Sequence, residues 1–559
     1  MSFNDSLISS IKEGIAAGLK RRTLTSCSRW SEACVVMGGK DFPGPIRWGY
    51  HPWLKDMHDS NALWNVGQKS AQMGFTVVGM NRTFYKIDVE RTSCLYLLPT
   101  KTPDATDFSA TRFDPLLELS PHLEKLFSDV KNVATKRAGS ATLYIRGANS
   151  RSGLKSVPVA FIVFDEYEEM NQENIPLAVE RTSGQLTKQF WAISTPIVPG
   201  MGINKLFLGS TQEHFSFECP MCSRRTELIY PDSLVICGES LEDPDVHLSH
   251  IICKECKGKL PVHFKDNKDE AKASYLRTGI WESQGHKDFE NRGFYINQMY
   301  SPTISPPDLA KAYFRSLSDP AAEQEFHNSK MGNPHIVDGA RVTDVEIEQV
   351  IGSHSCKDIA PNDRLITLGI DVGKWLHFEV DQWFPKRMGA DLNMMSDCKC
   401  LCEGKVASFE ELDGLMRRWQ VIMAVIDANP ERRKAYEFAI RFNGHVKMCF
   451  YGKGMTGKMI ATDKDNGEHM VKVDRTAWLD CALARFKNKT IKLPRDTSRE
   501  YKEHIKALIR VYEKDTDGNP VGKYINQGDD HFGHARNYSE IALPIAASFA
   551  TNKDVASFM

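Results

Sequence analysis

Between about residues 60 and 200 the apolar positions come in short runs, separated by stretches with helical spacing. That alternation builds a parallel sheet flanked by helices. Strands are predicted at Leu63–Val66, Cys94–Leu98, Thr142–Ile145, Val159–Phe164 and Phe190–Ser194. The run Ala160-Phe161-Ile162-Val163-Phe164 is apolar at consecutive positions, so its strand needs cover on both faces. From about 215 to 260 the texture changes, as cysteines pair up and turn residues increase. Residues 306–331 read as two helices, started by Pro306-Pro307-Asp308 and Asp319-Pro320. Gly332 to about Asp363 reads as a linker. A second α/β segment opens with Leu365-Ile366-Thr367-Leu368-Gly369-Ile370-Asp371 and runs to about residue 548. Upstream of all this, Leu7, Ile8, Ile11, Ile15 and Leu19 lie at helical spacing and predict an amphipathic N-terminal helix.

Composition narrows the class. The 559 residues suffice for several domains. Apolar residues at 41% and charged residues at 26% exclude a disordered chain, a collagen-like chain and a small disulfide scaffold. Lys and Arg number 71 against 72 Asp and Glu, so any polyanion binding must come from local patches. Arg485–Arg510 is such a segment, with nine Lys/Arg and three Asp/Glu. It is either a solvated helix face or a contact to DNA phosphates. No stretch reaches the roughly 18–20 uncharged apolar residues of a membrane helix. The N-terminus lacks the basic-then-apolar order of a signal peptide, so a cytosolic protein is expected. The 14 cysteines then read as reduced thiols or metal ligands.

Chemistry enters at Lys69-Ser70-Ala71-Gln72-Met73-Gly74-Phe75-Thr76, directly after a predicted strand. In a G-x-x-x-x-G-K-[ST] loop, backbone N–H groups and a helix N-terminus cradle phosphate, while the Lys and hydroxyl reach the terminal phosphate and Mg²⁺. Gly74 and Thr76 keep that register, but Phe75 stands at the usual lysine position and the lysine has moved forward to Lys69. Next, an apolar strand ends in Asp165-Glu166. Mg²⁺-dependent ATP hydrolysis needs that pair, Asp165 for the metal and Glu166 to orient or deprotonate water. A third strand, Trp191-Ala192-Ile193-Ser194-Thr195-Pro196, ends in small hydroxyls able to sense the γ-phosphate. The order and spacing of the three predict an ATPase. Trp48, Tyr50 and Trp53 either stack on adenine or pack beside a Gly-Pro turn.

Cys219-Pro220-Met221-Cys222 and Cys253-Lys254-Glu255-Cys256 form two CxxC units with 30 residues between them. Four thiolates at that spacing can close a tetrahedral Zn²⁺ site, with no open position for catalysis. Cys398, Cys400 and Cys402 alternate as on one strand face and are assigned no metal. Further on, Asp371 and Asp427 each follow an apolar strand, and Asp529-Asp530-His531-Phe532-Gly533-His534 comes near the end. Two strand-borne carboxylates plus a C-terminal acidic or His group are what an RNase H-like, two-metal nuclease requires.

Together these motifs resemble the large terminase subunit of tailed bacteriophages, the DNA-packaging motor. The similarity is to the lambda GpA branch, whose phosphate-loop lysine is displaced forward as Lys69 is. Further matches are Phe113-Asp114-Pro115, the run Gly147-Ala148-Asn149-Ser150 with Gly153-Leu154-Lys155-Ser156, Tyr300-Ser301-Pro302, and Phe326-His327-Asn328 with Gly332 and Pro334. The resemblance spans roughly residues 40–545. It implies that Lys69, Ser70, Gly74 and Thr76 bind ATP phosphates, that Asp165 and Glu166 are the Mg²⁺ and catalytic carboxylates, and that Ser194 and Thr195 couple hydrolysis to movement. It also implies an arginine finger; Arg112, Arg146 and Arg151 are candidates, each with a surface salt bridge as its plainer role.

At the nuclease the chain departs from the family pattern, which has an Asp where His534 stands. The expected site is Asp371, Asp427, Asp530 and His534 around Mg²⁺ or Mn²⁺, with Asp529 or Asp530 open as the alternative third ligand. Implied partners are double-stranded DNA, a small terminase subunit, the portal protein of the procapsid and a homo-oligomeric ring, in the host cell cytoplasm and without a membrane. The N-terminal helix is a docking site for the small subunit in this reading. The predicted α/β architecture is a terminal segment (1–40), a RecA/ASCE-like P-loop ATPase (41–212), a zinc-knuckle and helical region (213–335), a linker (336–364), an RNase H-like nuclease (365–548) and a tail (549–559). The competing readings are a helicase–nuclease, which requires a second RecA-like domain, and an inert DNA-binding homologue.

Overall fold

The structure is a computed structural model that describes residues 26–128, 130–155, 157–284, 290–357, 365–387, 391–452, 460–462, 469–514 and 519–556. The N-terminal amphipathic segment and Ser156 lie outside the described residues. The chain divides into two compact units, Met1–Ile336 and Val337–Met559.

The first unit is built on a parallel sheet. Its strands are β1 (Trp64–Lys69), β2 (Cys94–Leu98), β3 (Ala141–Gly147), β4 (Phe161–Asp165), β5 (Gln189–Ser194), β6 (Glu213–Glu218) and β7 (Asn291–Ile296), with α1 (Phe75–Asp88) between β1 and β2. The spatial order is β6-β7-β1-β5-β4-β2-β3, every neighbour parallel. Antiparallel strands extend both edges. All five strands read from the hydrophobic pattern form. The apolar runs face two cores. Tyr96, Val163 and Ile193 pack with Phe75, Val78 and Phe84 of α1 on one side. Leu95, Leu97, Ile162 and Phe164 pack with Tyr167, Ile203 and Phe207 on the other. Each such fully buried Phe or Ile contributes roughly 1.5–3 kcal/mol relative to exposure.

The sheet continues past residue 212. After β6 the chain leaves to make the cysteine knuckles, then returns as β7 and pairs directly with β1. Cys219, Leu228, Leu234, Ile251, Cys253 and Leu260 join the same core as α1, so the cysteine region shares its burial with the ATPase-type sheet. The two helices predicted over 306–331 are α2 (Pro306–Ser316), opened by a Ser305–Asp308 capping box, and Pro320–Glu325, capped by Asp319.

In the second unit, α3 (Asp344–Gln349) falls within the expected linker. Ile347, with Val342 and Val350, is buried in this unit's core, so part of that stretch folds. The sheet holds β8 (Leu365–Val372), β9 (Leu376–Pro385), β10 (Ser396–Val406), β11 (Met423–Asp427), β12 (Val446–Tyr451) and β13 (Met470–Val473). Their order is β10-β9-β8-β11-β12-β13. The first three form an antiparallel meander, and β8, β11, β12 and β13 run parallel. This is the RNase H-like arrangement predicted, in the place where a helicase needs a second RecA-like sheet. Three helices follow, α4 (Arg475–Lys487), α5 (Arg499–Ala507) and α6 (His531–Ala556). The last continues through the expected tail boundary at 549. It lies directly on β8, since a Cβ on Gly369 would sit 1.9 Å from Ala535 O and 2.3 Å from Ser539 N. Only glycine allows that approach. No helix among the described residues is long and apolar enough to cross a membrane.

Candidate functional site

In the first unit, parallel strands bring the predicted groups to one end of the sheet. Lys69 is the last residue of β1, and Gly74, at φ +84°, turns the loop into α1. No side chain caps α1, and the first N–H groups of a helix lack intrahelical acceptors, so this start suits an anion. Asp165 ends β4. Its Oδ1 accepts from the Thr76 hydroxyl at 3.3 Å and its Oδ2 from the Tyr96 hydroxyl at 2.6 Å. Burial, then the charge of Glu166, pushes the Asp165 carboxyl up to about 6, against the pull of Tyr96, Lys69 and Thr76. Glu166 is held at φ +57°, a sparsely populated conformation for a non-glycine residue and typical of functional sites. The Lys69 ammonium lies 3.8 Å from Glu166 Oε1, so the forward-displaced lysine still reaches the carboxylate pair.

Strand β5 lies between β1 and β4, with Ser194 opposite Gln68 and Ile193 opposite Asp165. Ser194 Oγ accepts the Glu168 N–H at 3.2 Å, and the Glu168 carboxylate accepts the Ile203 N–H at 2.8 Å. Burial raises Glu168 to about 7. The turn after Asp165 is thus tied to Ser194 and the segment that follows it; Thr195 is half-buried beside it.

Sequence reasoning missed the loop's support. The Ser70 N–H donates to Ile296 O and the Ala71 N–H to Ser329 O, while Gln68 Nε2 donates to Gly332 O at 3.0 Å. Gly332 sits at φ +66°, where a Cβ would stand 2.8 Å from Ser70 N. Ser70 Oγ is buried with no hydrogen-bond partner among the described residues, so its hydroxyl rather than its N–H is left for a ligand. Tyr96 was missed as well; Phe113 holds its ring edge-on at 5.1 Å. The aromatic candidates divide. Trp53 is fully buried and donates to Met73 O at 3.0 Å, so it packs beneath the loop. Trp48 lies against His58, and Tyr50 bonds Glu270. Of the arginine candidates, Arg146 donates to Gly153 O at 3.2 Å, Arg112 and Arg151 are exposed, and the charge of Arg112 reaches Tyr96 beside Asp165.

The cysteines do converge. One sulfur from each of Cys219, Cys222, Cys253 and Cys256 lies within 4.8 Å of the others. The two knuckles are alike. The Ser223 N–H returns to Cys219 O and the Lys257 N–H to Cys253 O, with φ of +57° and +59° at those residues. The Arg224 backbone N–H draws the Cys222 thiol down to about 7. Four convergent thiols fit a tetrahedral Zn²⁺ shell.

In the second unit Asp371 and Asp427 sit near the ends of neighbouring parallel strands. Burial, then the Asp371 charge, holds Asp427 up at about 6. His534 Nε2 lies 3.3 Å from Asp530 Oδ2, and its Nδ1 pairs with the Tyr451 hydroxyl at 2.8 Å. Burial alone would raise Asp530, but the His534 contact outweighs it and holds the carboxyl low. Asp529 is exposed. Three residues here were not foreseen. His531 Nδ1 pairs with Asp371 Oδ2 at 2.8 Å, His377 stacks on His531, and Tyr451 holds His534. The signal for His377 was present, since a tight β8–β9 hairpin sets it opposite Asp371.

The basic segment Arg485–Arg510 looks different once folded. Arg485 is buried against Glu540 at 2.6 Å, Lys502 meets Glu348 at 2.6 Å, Lys506 meets Asp344 at 2.8 Å and Arg510 meets Asp480 at 2.8 Å. At these four positions an acid from outside the segment meets each cation, which favours the paired, solvated face over the DNA contact there.

Fold and sites define a protein that joins a phosphate-loop nucleotide-hydrolase unit to an RNase H-like unit. Two family models match the chain. "Phage terminase large subunit gpA, ATPase domain" matches residues 41–281, and "Terminase large subunit gpA, endonuclease domain" matches residues 291–539. The chain belongs to the phage terminase large subunits of the gpA type, enzymes with ATPase and endonuclease activity. Among solved structures, the chain is similar to the HK97 bacteriophage large terminase, at 11% identity and TM-score 0.48, covering 93% of this chain and 99% of that one. It is also similar to the large terminase of a thermophilic bacteriophage, at 11% identity and TM-score 0.29, covering 88% and 97%. The magnesium-bound terminase nuclease of thermophilic phage G20c matches at 13% identity and TM-score 0.24, covering 35% and 94%. No curated protein matches.

Proposed function

We propose that this chain packages double-stranded DNA into a procapsid by ATP hydrolysis and cuts concatemeric genome with its second unit. The convergence of Lys69, Thr76, Asp165 and Glu166 at the ends of β1 and β4 carries this reading. The Lys69 ammonium, the Ser70 and Thr76 hydroxyls and the start of α1 beyond Gly74 hold the ATP phosphates. Asp165 holds Mg²⁺, which when bound supplies charge neutralisation at the phosphates. Glu166 orients water for in-line attack. The Glu168–Ser194 bond passes the change at Glu166 to Ser194, Thr195 and the following segment. Charge in the transition state also needs an arginine, drawn from Arg112, Arg146 and Arg151.

In the nuclease, Asp371, Asp427, Asp530 and His534 hold Mg²⁺ or Mn²⁺; such ions stabilise the attacking and leaving oxygens. Cys219, Cys222, Cys253 and Cys256 hold a structural Zn²⁺ that braces β6 and the hairpin strand beside it. The chain works in the host cell cytoplasm as a ring on the portal, with a small terminase subunit at its N-terminal segment. Domain roles follow the expected division, with the ATPase extended to include β6 and β7.

Two variants of the full chain test this reading. Glu166→Gln is expected to lower ATP hydrolysis by roughly 10²–10⁴-fold and to retain metal-dependent plasmid cleavage. Asp427→Asn is expected to do the reverse. Undiminished hydrolysis in Glu166→Gln would remove the ATPase assignment, and undiminished cleavage in Asp427→Asn would remove the nuclease assignment.

A further inference from the structure

Asp371 has a second side. Across the β8–β9 hairpin it stands directly opposite His377, so both side chains leave the same face of the sheet. His531, the first residue of α6, meets them from the helix. One ligand atom from each of the three lies within 4.8 Å of the others. The ring centroids of His377 and His531 are 4.6 Å apart and their planes 7° from parallel, and His531 Nδ1 is 2.8 Å from Asp371 Oδ2. His377 is 4% exposed, and its Nδ1 is buried with no hydrogen-bond partner among the described residues. A buried atom left unsatisfied carries its full desolvation penalty, which a ligand at Nδ1 would remove. On its other edge, Nε2 lies 3.8 Å from Glu500 Oε1, a carboxylate placed to orient the ring as outer partners of metal-binding histidines do.

We propose that Asp371, His377 and His531 form a metal site of their own, with two imidazoles and one carboxylate, selective for Mn²⁺ over Mg²⁺. The inference rests on the nuclease reading, because Asp371 is shared. It divides that centre into two chemically unlike halves. Toward Asp427 the donors are mainly oxygens, which suit Mg²⁺. Toward His377 and His531 they are mainly nitrogens, and Mg²⁺ gives up its waters reluctantly for such ligands whereas first-row transition ions accept imidazole. His504 is close to both rings, at 5.6 Å and 5.7 Å, but its Nδ1 accepts the Phe532 N–H. It therefore serves as the control.

Mn²⁺ added to the full-length protein in excess Mg²⁺, read by pulsed electron paramagnetic resonance, tests the site. His534→Gln, which removes the other imidazole of the nuclease centre, is expected to show Mn²⁺ coupled to ¹⁴N. Added to His534→Gln, His377→Gln and His531→Gln are each expected to weaken that Mn²⁺ by about 10–100-fold, and the two together to abolish the coupling. His504→Gln is expected to keep both, and all the variants to keep the wild-type circular dichroism and unfolding temperature, which report that the second unit is folded. Mn²⁺ bound to His534→Gln without ¹⁴N coupling overturns the site whatever the other variants do. So does unchanged affinity in both ligand variants. Plasmid cleavage separates the two readings: cleavage with Mg²⁺ but no nitrogen-coupled Mn²⁺ sinks only this site, whereas nitrogen-coupled Mn²⁺ with no cleavage in any metal sinks the nuclease.

Discussion

Asp165 is fully buried at the end of β4, and burial with the Glu166 charge lifts its carboxyl from 3.8 to about 6. The folded state therefore holds the proton more tightly than the unfolded chain does. That preference favours folding below about pH 4 and is lost as pH rises through about 6. At neutral pH the charged, ligand-free site works against stability. Asp165→Asn should then raise the unfolding free energy at pH 7 by about 1–3 kcal/mol, with little gain below pH 4, while ATP hydrolysis falls at least about 10²-fold. Denaturant unfolding at the two pH values is the measurement, and equal stability of variant and wild type at pH 7 would count against the burial penalty. At this scale the candidate groups were legible in the sequence. Lys69, Thr76, Asp165 and Glu166 stand in recognisable motifs, because the chemistry demands those residue types at strand ends. Their supports were not legible. Tyr96 is one more apolar-looking strand position until its hydroxyl is seen on Asp165, and Phe113 is one more core aromatic until its ring is seen against Tyr96.

The phosphate loop is propped by elements far downstream in the chain. Ser329 O takes the Ala71 N–H, Gly332 O takes the Gln68 amide, and β7 offers Ile296 O to Ser70. Gly332→Ala would force a Cβ to 2.8 Å from Ser70 N at φ +66°. We expect a loss of about 1–3 kcal/mol and a rise in KM for ATP larger than the fall in kcat. Nuclease activity measured on the same preparation should hold. An unchanged KM would show that the loop does not depend on this prop. Strands β1 to β5 were visible because consecutive apolar residues need two covered faces. Strands β6 and β7 escaped because each is polar at its start, Glu213-His214 and Asn291-Arg292, and the place of β7 beside β1 comes from pairing residues as distant in sequence as Trp64 and Asn291. Likewise α3 looked like linker, since its burial depends on Val342, Ile347 and Val350 meeting a distant core.

For the whole molecule, near-zero net charge, 71 against 72, hides how the charges are arranged. In the basic segment Arg485–Arg510, Lys502, Lys506, Arg510 and Arg485 are held by Glu348, Asp344, Asp480 and Glu540. Neutralising Lys502, Lys506 and Arg510 together should therefore leave the salt dependence of DNA binding unchanged, where three lost phosphate contacts would lower its slope by roughly 2–3. It should instead lower the stability of the second unit. A reduced slope would restore the segment as a DNA contact.

By itself the sequence determined the class of each unit and picked out the candidate site residues. Hydrophobic period and strand-end chemistry are local properties, and two family-like motif sets in order sufficed to read an ATPase followed by a nuclease. Tertiary structure decided which of those residues meet and what surrounds them. It set Lys69 against Glu166 from the unexpected end of the loop, added His377 and His531 beside Asp371, and matched the basic segment with acids. Those outcomes rest on contacts between residues far apart in the chain, and on which polar groups burial leaves without water, neither of which any local pattern encodes.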